Sequence, residues 1–361
     1  MSALSDRLLE RIRAEGPITF YEWMRVALYD PEYGYYSRSD RQRWGRQGDY
    51  RTSPERTALF GATFARYFAT LYKALGEPQR FVICEVGGGE GYFAETVLQT
   101  LHDRFLEVFL ATDYVFDELS TDAQSRAKKR LATFGDRVQF KSIEDLNASI
   151  PKIIFSNELL DAFPVHRVTV RDGRPLEFYV QVDGEGNFQW LLGELSTERL
   201  RHEVVARMAE GETAEVSLGM EDWLAQIYKR LGTGYVVTVD YGFESDDNDK
   251  VTGSRNGTLR AFQGHQVVSE ILASPGEQDI TTSIDWTRVF EIGTREGLEV
   301  VTFQRQDEFL LEAGLLEELE TRVDEATRES DKLRLRTEAR EMILPGGMAQ
   351  SFQVLVQTKR G

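Results

Sequence analysis

At 361 residues the chain is about twice a typical domain, long enough to bury a sizeable core as one large α/β domain with additions or as two domains. Hydrophobic residues make up 41% and charged residues 29%, a globular balance that excludes wholesale disorder. A formal net charge of -17 argues against a surface that tracks phosphate backbones, so no nucleic acid is expected as a partner; a basic protein or peptide suits it better, although acidity also serves solubility alone.

The first stretch, MSALSDRLLERIRAEG, has leucine and isoleucine at helical spacing but carries Asp6, Glu10 and Glu15. That acidity and the lack of an apolar h-region oppose a transit or signal peptide. No run approaches the roughly 18 apolar residues of a membrane-spanning helix. The single cysteine, Cys84, lies in an apolar run and fits a reducing compartment. The expectation is a cytoplasmic protein. His102, His166, His202 and His265 lack metal-ligand spacing, so no metal is expected.

Helices are predicted at Ser5 to Ala14 and, capped by Thr19, at Phe20 to Leu28. Turn-rich loops follow at DPEYGYYSR and GRQGDYRTSPE. Pro54 then opens a helix whose Leu59, Phe60, Phe64, Tyr67 and Leu71 recur at three- and four-residue steps, until Gly76 and Pro78 stop it. From Phe81 the texture alternates. FVICEV, EVFLAT, RVQFK and KIIFSN read as strands, with helices at Tyr92 to His102 and Phe116 to Phe134 between the first three. Such alternation predicts parallel strands in an α/β, Rossmann-like doubly wound sheet. HRVTV, LEFYVQV and NFQWLL, separated by RDGRP and DGEGN, predict an antiparallel β-hairpin insertion, with helices after it near Glu198 to Met208 and Glu221 to Leu231. GYVVTVDYG, LEVVTFQ and FQVLVQT supply further strands, the last two separated by an acidic helical segment from Asp307 to Met342.

The turn CEVGGGEGYF at 84–93 lies between the first strand and a helix, where a glycine-rich bend lets a ligand approach the backbone. A dinucleotide turn, G-x-G-x-x-G, is opposed by Tyr92 at the third small position, and no lysine follows as a Walker loop requires. The pattern present is E-x-G-x-G-x-G: Glu85, Gly87, Gly89 and Gly91. It resembles the first motif of class I S-adenosylmethionine-dependent methyltransferases. That resemblance implies S-adenosyl-L-methionine as cofactor, its amino-acid tail lying against the glycines and its ammonium near Glu85. An acidic residue closing the second strand then holds the ribose, and Asp113 at the end of EVFLATDY is the candidate; a helix-capping role is its alternative. The residues after the third strand, Ser142 to Asp145 with Ile143 among them, are placed for adenine contacts.

Further segments carry a longer resemblance. GPITFYEWMRVALYDPEYGYY, GDYRTSPE, EVGGGEG, SNELLDAFPVHRV, VVTVDYG, TLRAFQGHQV and QDITTSIDW occur in this order. Together they resemble the MidA-like family, bacterial relatives of the mitochondrial arginine methyltransferase that helps assemble respiratory complex I. The family commonly has proline and arginine where this chain has Gly88 and Glu90, the latter a reversed charge beside the site.

The resemblance implies methylation of an arginine on a protein, possible acceptors including a respiratory-complex subunit. Glu158 and Asp161, three residues apart after the fourth strand, are the catalytic candidates, since carboxylates orient a guanidinium whose pKa exceeds about 12; a helix cap and a solvated aspartate are the plainer account. Asn157 joins the cofactor residues. Tyr36, Asp49, Ser53, Glu55 and His265 are candidates for the substrate side or a lid. The expected organisation is a helical and loop cap at 1–78, a cofactor-binding core at 79–164 plus 232–361, and a hairpin and helical insertion at 165–231 shaping the cleft. Two other functions fit: methylation of a small-molecule oxygen or nitrogen, and a non-catalytic assembly chaperone.

Overall fold

The computed structural model describes residues 2–38, 57–204, 208–244, 256–264, 266–344 and 351–360. Helices α1 (Ala3–Glu15) and α2 (Phe20–Tyr29) flank a two-residue strand, β1 (Ile18–Thr19). Thr19 caps α2 by accepting from the Glu22 amide at 3.2 Å. Helix α3 (Ala58–Ala74) starts at Thr57, whose hydroxyl accepts from Leu59 N at 3.1 Å. The expected start at Pro54 falls outside the described residues.

Next come β2 (Phe81–Val86), α4 (Tyr92–Arg104), α5 (Leu106–Ala111), β3 (Thr112–Asp117), α6 (Thr121–Arg130), β4 (Val138–Phe140) and β5 (Lys152–Asn157). The 165–231 segment expected as an insertion holds β6 (His166–Arg171), β7 (Arg174–Val182), β8 (Phe188–Gly193), α7 (Glu198–Val204), β9 (Thr213–Val216) and one further helix. After α8 (Leu218–Arg230) and β10 (Gly234–Phe243) come β11 (Arg260–Gln263), β12 (Gln266–Val268), β13 (Asp279–Thr281) and β14 (Ile284–Asp285). The chain ends with α9 (Trp286–Arg295), β15 (Glu299–Arg305), α10 (Gln306–Glu312), α11 (Leu315–Glu325), α12 (Glu329–Ile343) and β16 (Phe352–Lys359).

The central sheet has the order β4-β3-β2-β5-β10-β16-β15, with β14 paired to the end of β10. Strands β4 to β10 run parallel, and β16 is antiparallel to both its neighbours. This is the doubly wound arrangement that the alternation predicts. Every residue of β2 is buried, as a strand covered on both faces must be. Phe81 and Ile83 face a core with Phe60, Phe64, Phe68, Phe93 and Phe155, where the rings of Phe93 and Phe155 stack at 4.1 Å. Val82 and Cys84 face Leu224, Ile227, Trp286 and Val289 of α8 and α9.

EVFLAT is not the second strand. Its first five residues lie in α5, with Val108 and Phe109 inward and Leu106 and Leu110 53% and 59% exposed. A four-residue apolar run satisfies either period, and here one face of a short helix wins. The strand is the next run, Tyr114-Val115-Phe116 within β3, so α6 starts at Thr121 rather than Phe116.

In the insertion, Asp172 and Gly173 take φ of 51° and 68° between paired Arg171 and Arg174, the tight hairpin that RDGRP announces. Leu4, Leu8, Phe20 and Trp23 of the first two helices share a core with Val165, Val180, Ala261 and Ile280. The Tyr21 ring stacks on His166 at 4.6 Å, and His166 Nδ1 lies 2.7 Å from buried Glu177. These contacts unite the amino-terminal helices, the insertion and the β12-β11-β13 sheet. Helix α3 packs instead with the central sheet.

Candidate active site

Parallel strands place their carboxyl ends on one edge of a sheet, and the chain leaves β2, β3, β5 and β10 there. Leaving β2, the backbone makes the glycine turn, with Gly87, Gly89 and Gly91 at φ of 72°, 55° and 81°. Only glycine takes this left-handed region without strain. Contacts are tight as well. A Cβ on Gly88 would lie 2.4 Å from the Phe116 ring, and one on Gly87 would lie 2.8 Å from Leu159 Cδ1. The turn therefore abuts the 158–161 segment directly.

Glu85 is buried beneath the turn and accepts from the Tyr114 hydroxyl at 2.8 Å. Burial pushes its carboxyl up to about 8, and the tyrosine bond opposes that rise. Glu90 turns away to helix α6, where its carboxylate meets Arg126 at 2.5 Å and its carbonyl accepts from Arg130 at 3.0 Å. The reversed charge at this position is thus neutralised within the chain. Tyr92 lies under the Arg130 guanidinium, 3.6 Å from the ring centre.

Asp113 is the second residue of β3 and does not close it; it lies opposite Val82 and pairs with Arg80 at 2.8 Å. Gly87 lies five steps further along the neighbouring strand from that level, about 16 Å away at the rise of an extended chain. The misplaced strand assignment carried Asp113 to the wrong edge of the sheet. Two carboxylates do stand at the carboxyl end of β3. Glu118 accepts from Gly89 N at 2.9 Å and Ser120 N at 2.7 Å. Asp117 accepts from Ile143 N at 2.7 Å, which brings buried Ile143 to the same edge.

Beyond β5, Asn157 donates to Glu158 at 3.1 Å, while its own carbonyl oxygen is buried without a hydrogen-bond partner. Glu158 adopts a φ of 51°, which strains a residue with a side chain. It therefore precedes the 3-10 turn Leu160–Ala162 and does not share a helical turn with Asp161. Asp161 is buried, not solvated. Burial, then Asp240, Asp279 and Glu158 in turn, push its carboxyl well above the ordinary range, against a hydrogen bond from Tyr241.

The opposite wall comes from elements remote in sequence. Thr282 N donates to the Asp161 carbonyl at 3.0 Å, and the Tyr241 hydroxyl reaches Thr281 at 2.6 Å. Tyr36 donates to buried Asp279 at 2.7 Å, and Tyr29 donates to the Ala162 carbonyl at 3.0 Å. Burial raises the Tyr29 phenol, and the charges of Asp161, Asp279 and Glu118 add to the rise, so one phenol senses both carboxylate groups. Asp49, Ser53, Glu55 and His265 lie outside the described residues.

The model of a family of S-adenosyl-L-methionine-dependent methyltransferases matches residues 63–304. The chain belongs to that family. A mitochondrial protein arginine methyltransferase, the NDUFAF7 homolog of Drosophila melanogaster, is 28% identical over 82% of this chain and 71% of its own. Protein arginine methyltransferase NDUFAF7 of Mus musculus is 25% identical over 96% of this chain and 82% of its own. The crystal structure of a Burkholderia thailandensis protein bound to S-adenosyl-homocysteine superposes with a TM-score of 0.86 at 26% identity, over 99% of this chain and 92% of that one. The fold is therefore that of a class I methyltransferase, and the MidA-like resemblance holds. No helix among the described residues is long and apolar enough to cross a membrane.

The residues present fit the family's cofactor. The side-chain-free bend, the buried acceptor Glu85, the half-buried Glu118 and the unpaired Asn157 side-chain oxygen suit a ligand rich in N–H and O–H donors. Sequence reasoning missed Glu118, Asp240 and Asp279 as site residues. For Glu118 a signal existed: DYVFDE carries a β-branched residue between two aromatics, a better strand than EVFLAT. Asp279 lies in QDITTSIDW, but that segment alone does not place it at the site, because its position depends on how the β12-β11-β13 sheet docks.

Proposed function

We propose that this methyltransferase modifies an arginine side chain of a protein. The observation that carries the reading is the buried Asp161, set beside Asp279 and Glu158 and next to the glycine turn. Such a group favours a cationic, donor-rich acceptor, and a guanidinium presents five N–H donors in a fixed plane.

When bound, S-adenosyl-L-methionine supplies a methyl group on a cationic sulfonium. Gly87, Gly89 and Gly91 give its amino-acid tail access to the backbone, and Glu85 with Asn157 Oδ1 accepts from the ammonium. Glu118 takes the ribose role first expected of Asp113, and Ile143 offers an apolar contact to adenine. On the acceptor side, Asp161 and Glu158 orient the guanidinium. The raised proton affinity of Asp161 also equips that carboxylate to hold the proton an attacking nitrogen gives up. Alignment contributes most of what the protein must add, so fixed carboxylates matter more than strong acids. The amino-terminal helices and the insertion shape the acceptor cleft, with Tyr36 on its wall.

The named relatives act as protein arginine methyltransferases, which supports a protein acceptor; a respiratory-complex subunit is the first to test. The relatives are mitochondrial, and for this chain cytoplasmic residence is our reading, supported by its single buried cysteine. The test is transfer of labelled methyl groups from the cofactor to lysate proteins, followed by mass spectrometry of methylated arginines. Label on arginine that disappears with Asp161→Asn supports the proposal. Label confined to small molecules, or partner capture without any transfer, overturns it.

A further inference from the structure

The 158–161 turn has an unusual construction. Strand β5 ends at Asn157, paired with Val239 of β10, and Glu158 N extends the ladder one step by donating to the Val239 carbonyl at 2.9 Å. The chain then reverses through the left-handed Glu158 into the Leu160–Ala162 turn. A helical turn leaves its first N–H groups without internal partners, and a residue just ahead of it ordinarily caps them. No side chain adjacent in sequence does so here. The cap comes from across the sheet. Leu159 N, Leu160 N and Asp161 N converge on Asp240 Oδ2 at 3.2, 2.9 and 3.4 Å, and Tyr241 N donates to Asp240 Oδ1 at 2.9 Å.

We propose that Asp240 is a positioning residue of the acceptor site: from the central strand its carboxylate locks the backbone of the Glu158–Asp161 turn and so fixes how Asp161 meets an acceptor. This rests on the reading of Asp161 given above. Asp240 itself is fully buried and both its oxygens are taken by backbone amides, so it does not touch the acceptor. A carboxylate suits the post because both oxygens must accept, whereas an asparagine would turn an NH₂ toward one set of N–H groups.

The same placement gives Asp240 an electrostatic effect that a mere scaffold lacks. Asp161 faces Glu158 on its own turn, Asp240 and Tyr241 of β10, Asp279 of β13 and, from α2, Tyr29. Among these charges Asp240 acts most strongly on Asp161, holding its proton affinity high. Removing that charge lowers the affinity, so the acid limb of activity moves to lower pH while the rate falls.

The test uses the full chain with Asp240→Asn and Asp240→Ala. Hydrogen exchange of the peptide covering 156–163 is read alongside calorimetric binding of S-adenosyl-homocysteine and labelled methyl transfer to lysate arginines against pH. The proposal expects exchange in that peptide to rise about tenfold or more in both variants, with exchange in β2 and affinity for S-adenosyl-homocysteine unchanged within about twofold. It also expects Asp240→Asn to lose most of its rate and to shift its acid limb downward. Unchanged exchange at 156–163, or exchange raised throughout the chain, overturns it. A wild type that labels no arginine while the local exchange pattern holds sinks the acceptor reading and keeps Asp240 as the lock on the turn.

Discussion

Glu85→Gln separates the cost of a buried carboxyl from its use. In the folded chain burial raises this carboxyl from an ordinary 4.5 to about 8. The folded state therefore binds more protons than the unfolded one between those values, and stability falls as pH climbs through that window. Each pH unit is worth about 1.36 kcal/mol, so the span limits the loss to about 5 kcal/mol. The bond from Tyr114 survives in the glutamine variant as a neutral pair, which trims the difference. Chemical unfolding from pH 5 to 9 without ligand checks this. The variant is expected to match the wild type near pH 5 and to exceed it by a few kcal/mol near pH 9, while losing affinity for S-adenosyl-homocysteine at least tenfold. Parallel stability curves across the range would refute the argument that Glu85 is a buried acceptor awaiting a cation.

Gly88→Ala forces a methyl group into the Phe116 ring, an overpacking that costs about 1–3 kcal/mol in unfolding experiments; Phe116→Leu in the same chain relieves part of it. Arg126→Ala leaves Glu90 unpaired beside the glycine turn, so cofactor affinity drops several-fold in calorimetry, and Glu90→Gln restores part of it in the double variant. Glu118→Gln weakens S-adenosyl-homocysteine binding at least tenfold in the same assay, whereas Asp113→Asn, at the far edge of the sheet, stays within twofold.

The parts of this molecule legible in sequence are those that local chemistry dictates. The glycine spacing, buried FVICEV strand and DG hairpin each require a particular backbone, and the structure has it. EVFLAT misled because a short apolar run carries no period of its own. The error then propagated, since the acid assigned to the ribose was whichever one followed the supposed strand. The acceptor side is a different case. Tyr36 is picked out by its segment, and Asp240 and Asp279 lie within VVTVDYG and QDITTSIDW, but nothing in those segments says that they meet: Tyr36 reaches Asp279, and Asp279 and Asp240 act on Asp161, only once the central sheet and the β12-β11-β13 sheet dock. Glu90 shows the same limit in miniature, a charge that looks disruptive in sequence until α6 supplies Arg126.

The most direct measurement is a crystal structure of the full chain with S-adenosyl-homocysteine. The account predicts the ligand's amino-acid tail against Gly87–Gly91 with its ammonium near Glu85, its ribose hydroxyls on Glu118, and its sulfur directed toward Asp161. Ligand density at the Asp113 edge, or a ligand whose sulfur lies remote from Asp161, would contradict it.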